Sequence, residues 1–94
     1  MHATRTVSVV ILGRVQGVSY RAWTQSAARA RGLAGFVRNR DDGSVEAIFS
    51  GSPDAVAEML TLCRSGPPGA NVTDVTVAER VDSPDSSRFE ILRG

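Results

Sequence analysis

TVSVVILGRVQGVSYRAWTQSAARARG, residues 6–32, changes its period halfway along. From Thr6 to Gly13 it is β-branched, and Val7, Val9 and Ile11 alternate with Ser8, Val10 and Leu12. That is a strand with both faces partly covered. Gly13 and Gly17 then bracket a short loop. From Tyr20 to Arg31, Tyr20, Trp23, Ala27 and Ala30 recur at i, i+3, i+7 and i+10, one face of a helix. Ala27 and Ala28 add helix propensity, and Gly32 is a C-terminal stop.

Working outward, Gly35–Arg40 predicts a second strand, Asp41-Asp42-Gly43 a tight turn, and Ser44–Gly51 the hairpin partner. Val45, Ala47 and Phe49 share a face of that partner. Ser52 is a good N-cap and Pro53 suits a first helical position. Val56, Met59, Leu60 and Cys63 then give a second amphipathic helix, ended by Gly66-Pro67-Pro68-Gly69. Val72–Val81 reads as a fourth strand, with Val75, Val77 and Val81 on one face. Ser83-Pro84-Asp85-Ser86 turns the chain into a short last strand, Arg88–Leu92.

The order is β-α-β-β-α-β plus a short C-terminal strand. It predicts an α+β, ferredoxin-like two-layer sandwich with both helices on one face of an antiparallel-type sheet. A right-handed crossover makes the first two strands parallel, with the third inserted antiparallel between them. Their shared ends then lie roughly 9–10 Å apart, close enough to share a small ligand. Residues 1–94 are expected to form one domain, with residues 1–5 as a flexible tail.

Composition excludes several kinds of chemistry. Eleven basic and ten acidic residues leave a net charge of +1, without the basic stripe of a nucleic-acid binder. No apolar run approaches the roughly 20 residues of a membrane helix. The first six residues lack the apolar core of a signal peptide. Cys63 is the sole cysteine and His2 the sole histidine, which argues against disulfides, Ser-His-Asp or Cys-His catalysis and a His-rich metal site. Every basic side chain is arginine, so Schiff-base chemistry and a phosphate-loop lysine are absent.

Two segments could carry chemistry. The loop Gly13–Arg21 can present successive N–H groups to an anion ahead of a helix N-terminus. Arg21 sits where the helix dipole disfavours a cation, and its fork suits phosphate oxygens. A plain turn with a solvent-facing arginine satisfies the same pattern. Asn39 is out of place in a strand. It either ends the strand and braces the turn, or orients a water at the edge it shares with Arg21. Trp23 and the Val56/Met59/Leu60/Cys63 stripe read as core, and Asp41 and Asp42 as turn residues.

GRVQGVSYR (13–21), GFVRN (35–39) and DGSV (42–45), in that order and spacing, strongly resemble the acylphosphatase family over about Val7–Leu92. The resemblance implies hydrolysis of carboxyl-phosphate bonds without metal or cofactor. It implies Arg21 as phosphate-binding arginine, Asn39 as water-orienting asparagine, and Gln16, Gly17, Val18, Ser19 and Tyr20 as the backbone cradle. Tyr20 stands where the family often has Phe, Ser44 where Thr is an alternative, and Arg40 where Thr is frequent. The last change removes a hydroxyl that could support Asn39.

Few groups suffice for such a reaction. The leaving carboxylate has a conjugate-acid pKa of about 4 to 5 and needs no general acid. Positioning and charge stabilisation carry most phosphoryl transfer. The expectation is a monomeric, cytoplasmic enzyme acting on a small-molecule acyl phosphate and releasing inorganic phosphate, with no cofactor, nucleic acid or membrane involved. The competing reading is a non-catalytic acyl-phosphate or carbamoyl-phosphate binding module.

Overall fold

In a computed structural model, which describes residues 3–84 and 86–93, the alternating apolar side chains of the first strand decide where the sheet is covered. Strand β1 (Arg5–Arg14) buries Val7, Val9 and Ile11 completely. Strand β3 (Val45–Gly51) sets Phe49, Ala47 and Val45 opposite them in antiparallel register. Strand β2 (Ala34–Asn39) pairs with the other edge of β3, also antiparallel, placing Val37 beside Ala47. β1 and β2 therefore run parallel with β3 between them, as the sequence order requires. Strand β4 (Asn71–Arg80) adds beside β1, and β5 (Phe89–Ile91) beside β2, giving the order β4-β1-β3-β2-β5. β5 is parallel to β2, so the sheet is mixed. Helices α1 (Tyr20–Ala30) and α2 (Pro53–Ser65) cover its apolar face.

Gly35 shows how closely this face is packed. It is the register partner of both Phe49 and Phe89. Its φ is 133°, and a Cβ there would lie 1.8 Å from the Ile48 carbonyl oxygen and 3.4 Å from the Phe89 ring. Only glycine fits. The two rings stack with centroids 5.4 Å apart, joining β3 to β5 above β2.

Some boundaries and faces differ from the sequence expectation. Arg5, assigned to the tail, is the first residue of β1, opposite Gly51 and paired with Glu79 at 2.6 Å. Met1 and His2 of that tail lie outside the described residues, as does Asp85 of the predicted turn. On α1 the buried stripe is Tyr20, Thr24 and Ala28, with Trp23 and Ala27 partly covered and Ala30 exposed. A purely apolar pattern misses Thr24 because its hydroxyl donates to the Tyr20 carbonyl at 2.8 Å, which lets a polar residue be buried. On β4, Val75 is buried and Val77 partly so, but Val81 is fully exposed. The strand ends at Arg80, whose guanidinium turns to Asp82, and Val81 lies in the bend beyond. The last strand is Phe89–Ile91, shorter than predicted.

Candidate active site

The parallel pair β1 and β2 end at the same edge of the sheet, and an open cleft of about 670 Å³ lies there. Val15 and Gly17 line it from the loop after β1, and Ser19, Tyr20, Arg21 and Ala22 from the start of α1. Asn39 contributes from the last position of β2, and Ile91 and Arg93 from the end of β5 and beyond. Arg21 and Asn39, 18 positions apart in the chain, thus face one space.

The loop reaches this geometry through unusual backbone. Its departure from β1 follows a β-bulge between Leu12 and Gly13, a device that bends a strand near a site. Gly17 has φ 76° with open space where a Cβ would be. Ser19 adopts φ 62° and ψ 27°, the one non-glycine residue with positive φ among the described residues. That conformation costs about 1 kcal/mol. Ser19 is the N-cap of α1, yet its side chain makes no capping hydrogen bond, and no acidic residue occupies the first turn. The first helical bond runs from the Trp23 N–H to the Ser19 carbonyl at 3.0 Å. The N–H groups of Tyr20, Arg21 and Ala22 therefore have no intrahelical acceptor. They carry the positive end of the helix dipole into a cleft that already holds an arginine.

The β2–β3 turn is tied to this loop by Gln16. Its amide nitrogen donates to the carbonyls of Arg40 at 2.8 Å and Ser44 at 2.9 Å. The Gln16 side chain thus points away from the cleft and fixes the loop against the turn that follows Asn39. Val18 is half-buried against the core and does not line the cleft either. The turn is closed by Asp42, whose carboxylate accepts from the N–H and hydroxyl of Ser44. Those bonds, the hydroxyl first, hold the Asp42 carboxyl below its ordinary range. Arg40 leans toward Asp42 at 3.9 Å, and Arg38 pairs with Glu46 away from the cleft. No protein group among the described residues hydrogen-bonds to the Asn39 amide, so both its donor and its acceptor are available.

Tyr20 contributes a wall, not an acid. Its hydroxyl donates to the Cys63 carbonyl at 2.7 Å, and burial pushes the phenol far above its ordinary pKa. Burial also pushes the Cys63 thiol up to about 12. A completely buried thiol of that kind is not a nucleophile at neutral pH.

Of the residues singled out from sequence, the structure brings Gly17, Ser19, Tyr20, Arg21 and Asn39 together and leaves the Gln16 and Val18 side chains outside. The bracing role of Gln16 and the presence of Ile91 and Arg93 were not anticipated. Alternation from Phe89 puts Ile91 and Arg93 on one face of β5 and its extension, which is the signal that could have found them.

A family model described as Acylphosphatase matches residues 7–91. An acylphosphatase of Bradyrhizobium diazoefficiens is 60% identical over 70 residues, covering 74% of this chain and 71% of that protein. One from Azorhizobium caulinodans is 51% identical over 88 residues, covering 94% and 95%. The crystal structure of acylphosphatase from Bacillus subtilis superposes with a TM-score of 0.90 at 38% identity, covering 94% of this chain and 98% of that one.

Proposed function

The chain belongs to the acylphosphatase family, and from that premise we propose that Arg21 and the loop backbone hold the phosphate while Asn39 holds the attacking water. The protein is an enzyme that hydrolyses acyl phosphates. The observation that carries the residue assignment is the single cleft shared by the uncapped α1 N-terminus, Arg21 and Asn39.

In this reading the phosphate oxygens take the unpaired N–H groups at the start of α1 and the guanidinium fork of Arg21. Together these offset the charge that makes a phosphate repel a nucleophile. The Asn39 carbonyl accepts from a water and its amide nitrogen donates to that water or to the phosphate, so the water is aimed in line with the leaving oxygen. Water attacks phosphorus, the P–O bond to the acyl group breaks, and the carboxylate leaves with the bonding electron pair. The water proton passes to a phosphate oxygen. The substrate is a diffusible small molecule, and we read the protein as one domain acting as a cytoplasmic monomer. The described residues include no helix long and apolar enough to cross a membrane.

The test compares wild type with Asn39→Ala on benzoyl phosphate and on glycerol phosphate. Wild type is expected to hydrolyse the first and leave the second essentially untouched, because an alkoxide needs a proton or a metal in order to leave. Asn39→Ala should lower kcat by about 100-fold with inorganic phosphate affinity little changed. Wild-type turnover in the variant would remove Asn39 from the mechanism. Comparable rates on both substrates would require an acid or metal that this reading lacks.

A further inference from the structure

Two arginines reach the same part of the cleft. Arg21 and Arg93 both line it, together with Asn39, and none of the lining residues is acidic. Among the described residues neither arginine has a carboxylate within ion-pair distance.

Packing of α1 over β5 brings the two together. The Gln25 amide nitrogen and the Arg29 Nε both donate to the Phe89 carbonyl at 3.2 Å. Arg21 precedes Gln25 by four residues, so it lies on the same helix face, one turn nearer the cleft. β5 runs parallel to β2, with Phe89, Glu90 and Ile91 beside Gly35, Phe36 and Val37. The Leu92 N–H continues the ladder to the Val37 carbonyl at 2.9 Å. That register carries Arg93 level with Asn39, one strand spacing of about 4.8 Å to the side. Alternation from Val37 and Phe89, both buried, gives Asn39 and Arg93 the face that α1 covers. Arg21 thus meets the end of β5 from the helix layer, and Arg93 stands beside Asn39 in the sheet layer.

The chemistry of the phosphoryl group decides what the pair holds. It carries close to two negative charges near neutral pH. In the transition state that charge is spread over three equatorial oxygens. The Arg21 fork spans two of them and leaves a third. In-line displacement puts the leaving oxygen on the side of phosphorus away from the attacking water. With the water at Asn39, a cation beside Asn39 faces the phosphoryl oxygens rather than the acyl group.

We infer that Arg93 is a second phosphoryl-binding arginine, which donates to an oxygen the Arg21 fork leaves free and stabilises its charge as water attacks. The inference rests on the phosphate being held at Arg21 and the water at Asn39. It adds to the catalytic set a residue from beyond β5, outside the 13–21 and 35–39 segments.

Acetyl phosphate and benzoyl phosphate share the phosphoryl group and differ in the acyl group, so together they tell which part of the substrate Arg93 serves. Rates are corrected for spontaneous hydrolysis. Arg93→Gln is expected to lower kcat/KM about tenfold on both alike, the size of one charge-assisted hydrogen bond. The inhibition constant of inorganic phosphate should rise by a similar factor. Arg93→Lys should fall between wild type and Arg93→Gln, since the charge stays and the fork is lost. Arg93→Glu should be worse than Arg93→Gln. Arg93 is exposed, so all three variants are expected to fold. Unchanged phosphate inhibition in Arg93→Gln would overturn the inference, as would a loss confined to one of the two substrates or three variants that do not follow charge. Failure of the underlying reading looks different, because phosphate inhibition would then survive Arg21→Ala.

Discussion

Helix α2 starts at Pro53 after Ser52, whose hydroxyl accepts from the Ala55 N–H at 3.3 Å, and Asp54 sits in its first turn. Helix α1 starts at Tyr20 after Ser19, whose left-handed backbone leaves its hydroxyl without a capping bond, and Arg21 stands where an acid would be favoured. Both caps are serines, yet only α2 has its first-turn N–H groups and dipole offset from within the chain. The α1 terminus forgoes a cap worth about 1 kcal/mol and adds a cation against the dipole for a further 0.3–1 kcal/mol or so. The difference lies in what each end faces. α2 begins directly after β3, at Ser52, whereas α1 begins at the cleft beside Asn39. Unmet donors and an unpaired cation are tolerable where a phosphate can complete them.

Substitutions at the two ends should therefore act in different currencies. Arg21→Ala breaks the α1 site most severely. We expect kcat/KM for benzoyl phosphate to fall by about 1,000-fold or more, since a charge-assisted fork is lost in ground and transition states alike. Inorganic phosphate should bind more weakly in a calorimetric titration, and thermal stability should hold or rise slightly as the dipole conflict is relieved. Unchanged phosphate affinity would place the anion elsewhere.

Gln16 sharpens the comparison, because α2 has no counterpart to its clamp on the following turn. Gln16→Ala removes two hydrogen bonds to backbone carbonyls and should cost about 1–2 kcal/mol of stability. It should also lower kcat by about tenfold as the loop drifts relative to Asn39. Gln16→Glu should be worse than Ala, since a carboxylate cannot donate to the Arg40 and Ser44 carbonyls. A purely structural role would lower the melting temperature and leave kcat per folded molecule intact.

The smallest effect on activity belongs to the α2 end. Ser52→Ala should cost about 1 kcal/mol, or about 5 °C in Tm, with kcat and KM unchanged. Loss of activity at temperatures where the variant is folded would mean that the two helix ends are coupled.

Much of this was open to a reader of the chain alone. The alternation of Val7, Val9 and Ile11, the Ser52-Pro53 start signal and the Asp42-Gly43 turn each act through contacts a few residues long, so local chemistry fixed the elements. Their order then left one sensible topology, because crossovers are right-handed. The juxtaposition of the Arg21 loop with Asn39 follows from that topology. Apolar spacing alone misses Thr24 on α1, since a buried hydroxyl bonded to its own helix leaves no trace in it. Alternation extends β4 to Val81 because it cannot say where an edge strand stops being covered.

Sequence by itself determined the element order and the parallel β1–β2 pair, because periodicity and chain reversal are local properties, while Arg21 and Asn39 stood out at its end through the resemblance of the 13–21 and 35–39 segments to a family. Tertiary structure alone decided that Gln16 turns from the cleft to hold the Arg40 and Ser44 carbonyls, that Ser19 leaves α1 uncapped, and that Arg93 is level with Asn39. Each depends on the register or packing of segments distant in the chain, and those are set by the packed core rather than by neighbours in sequence.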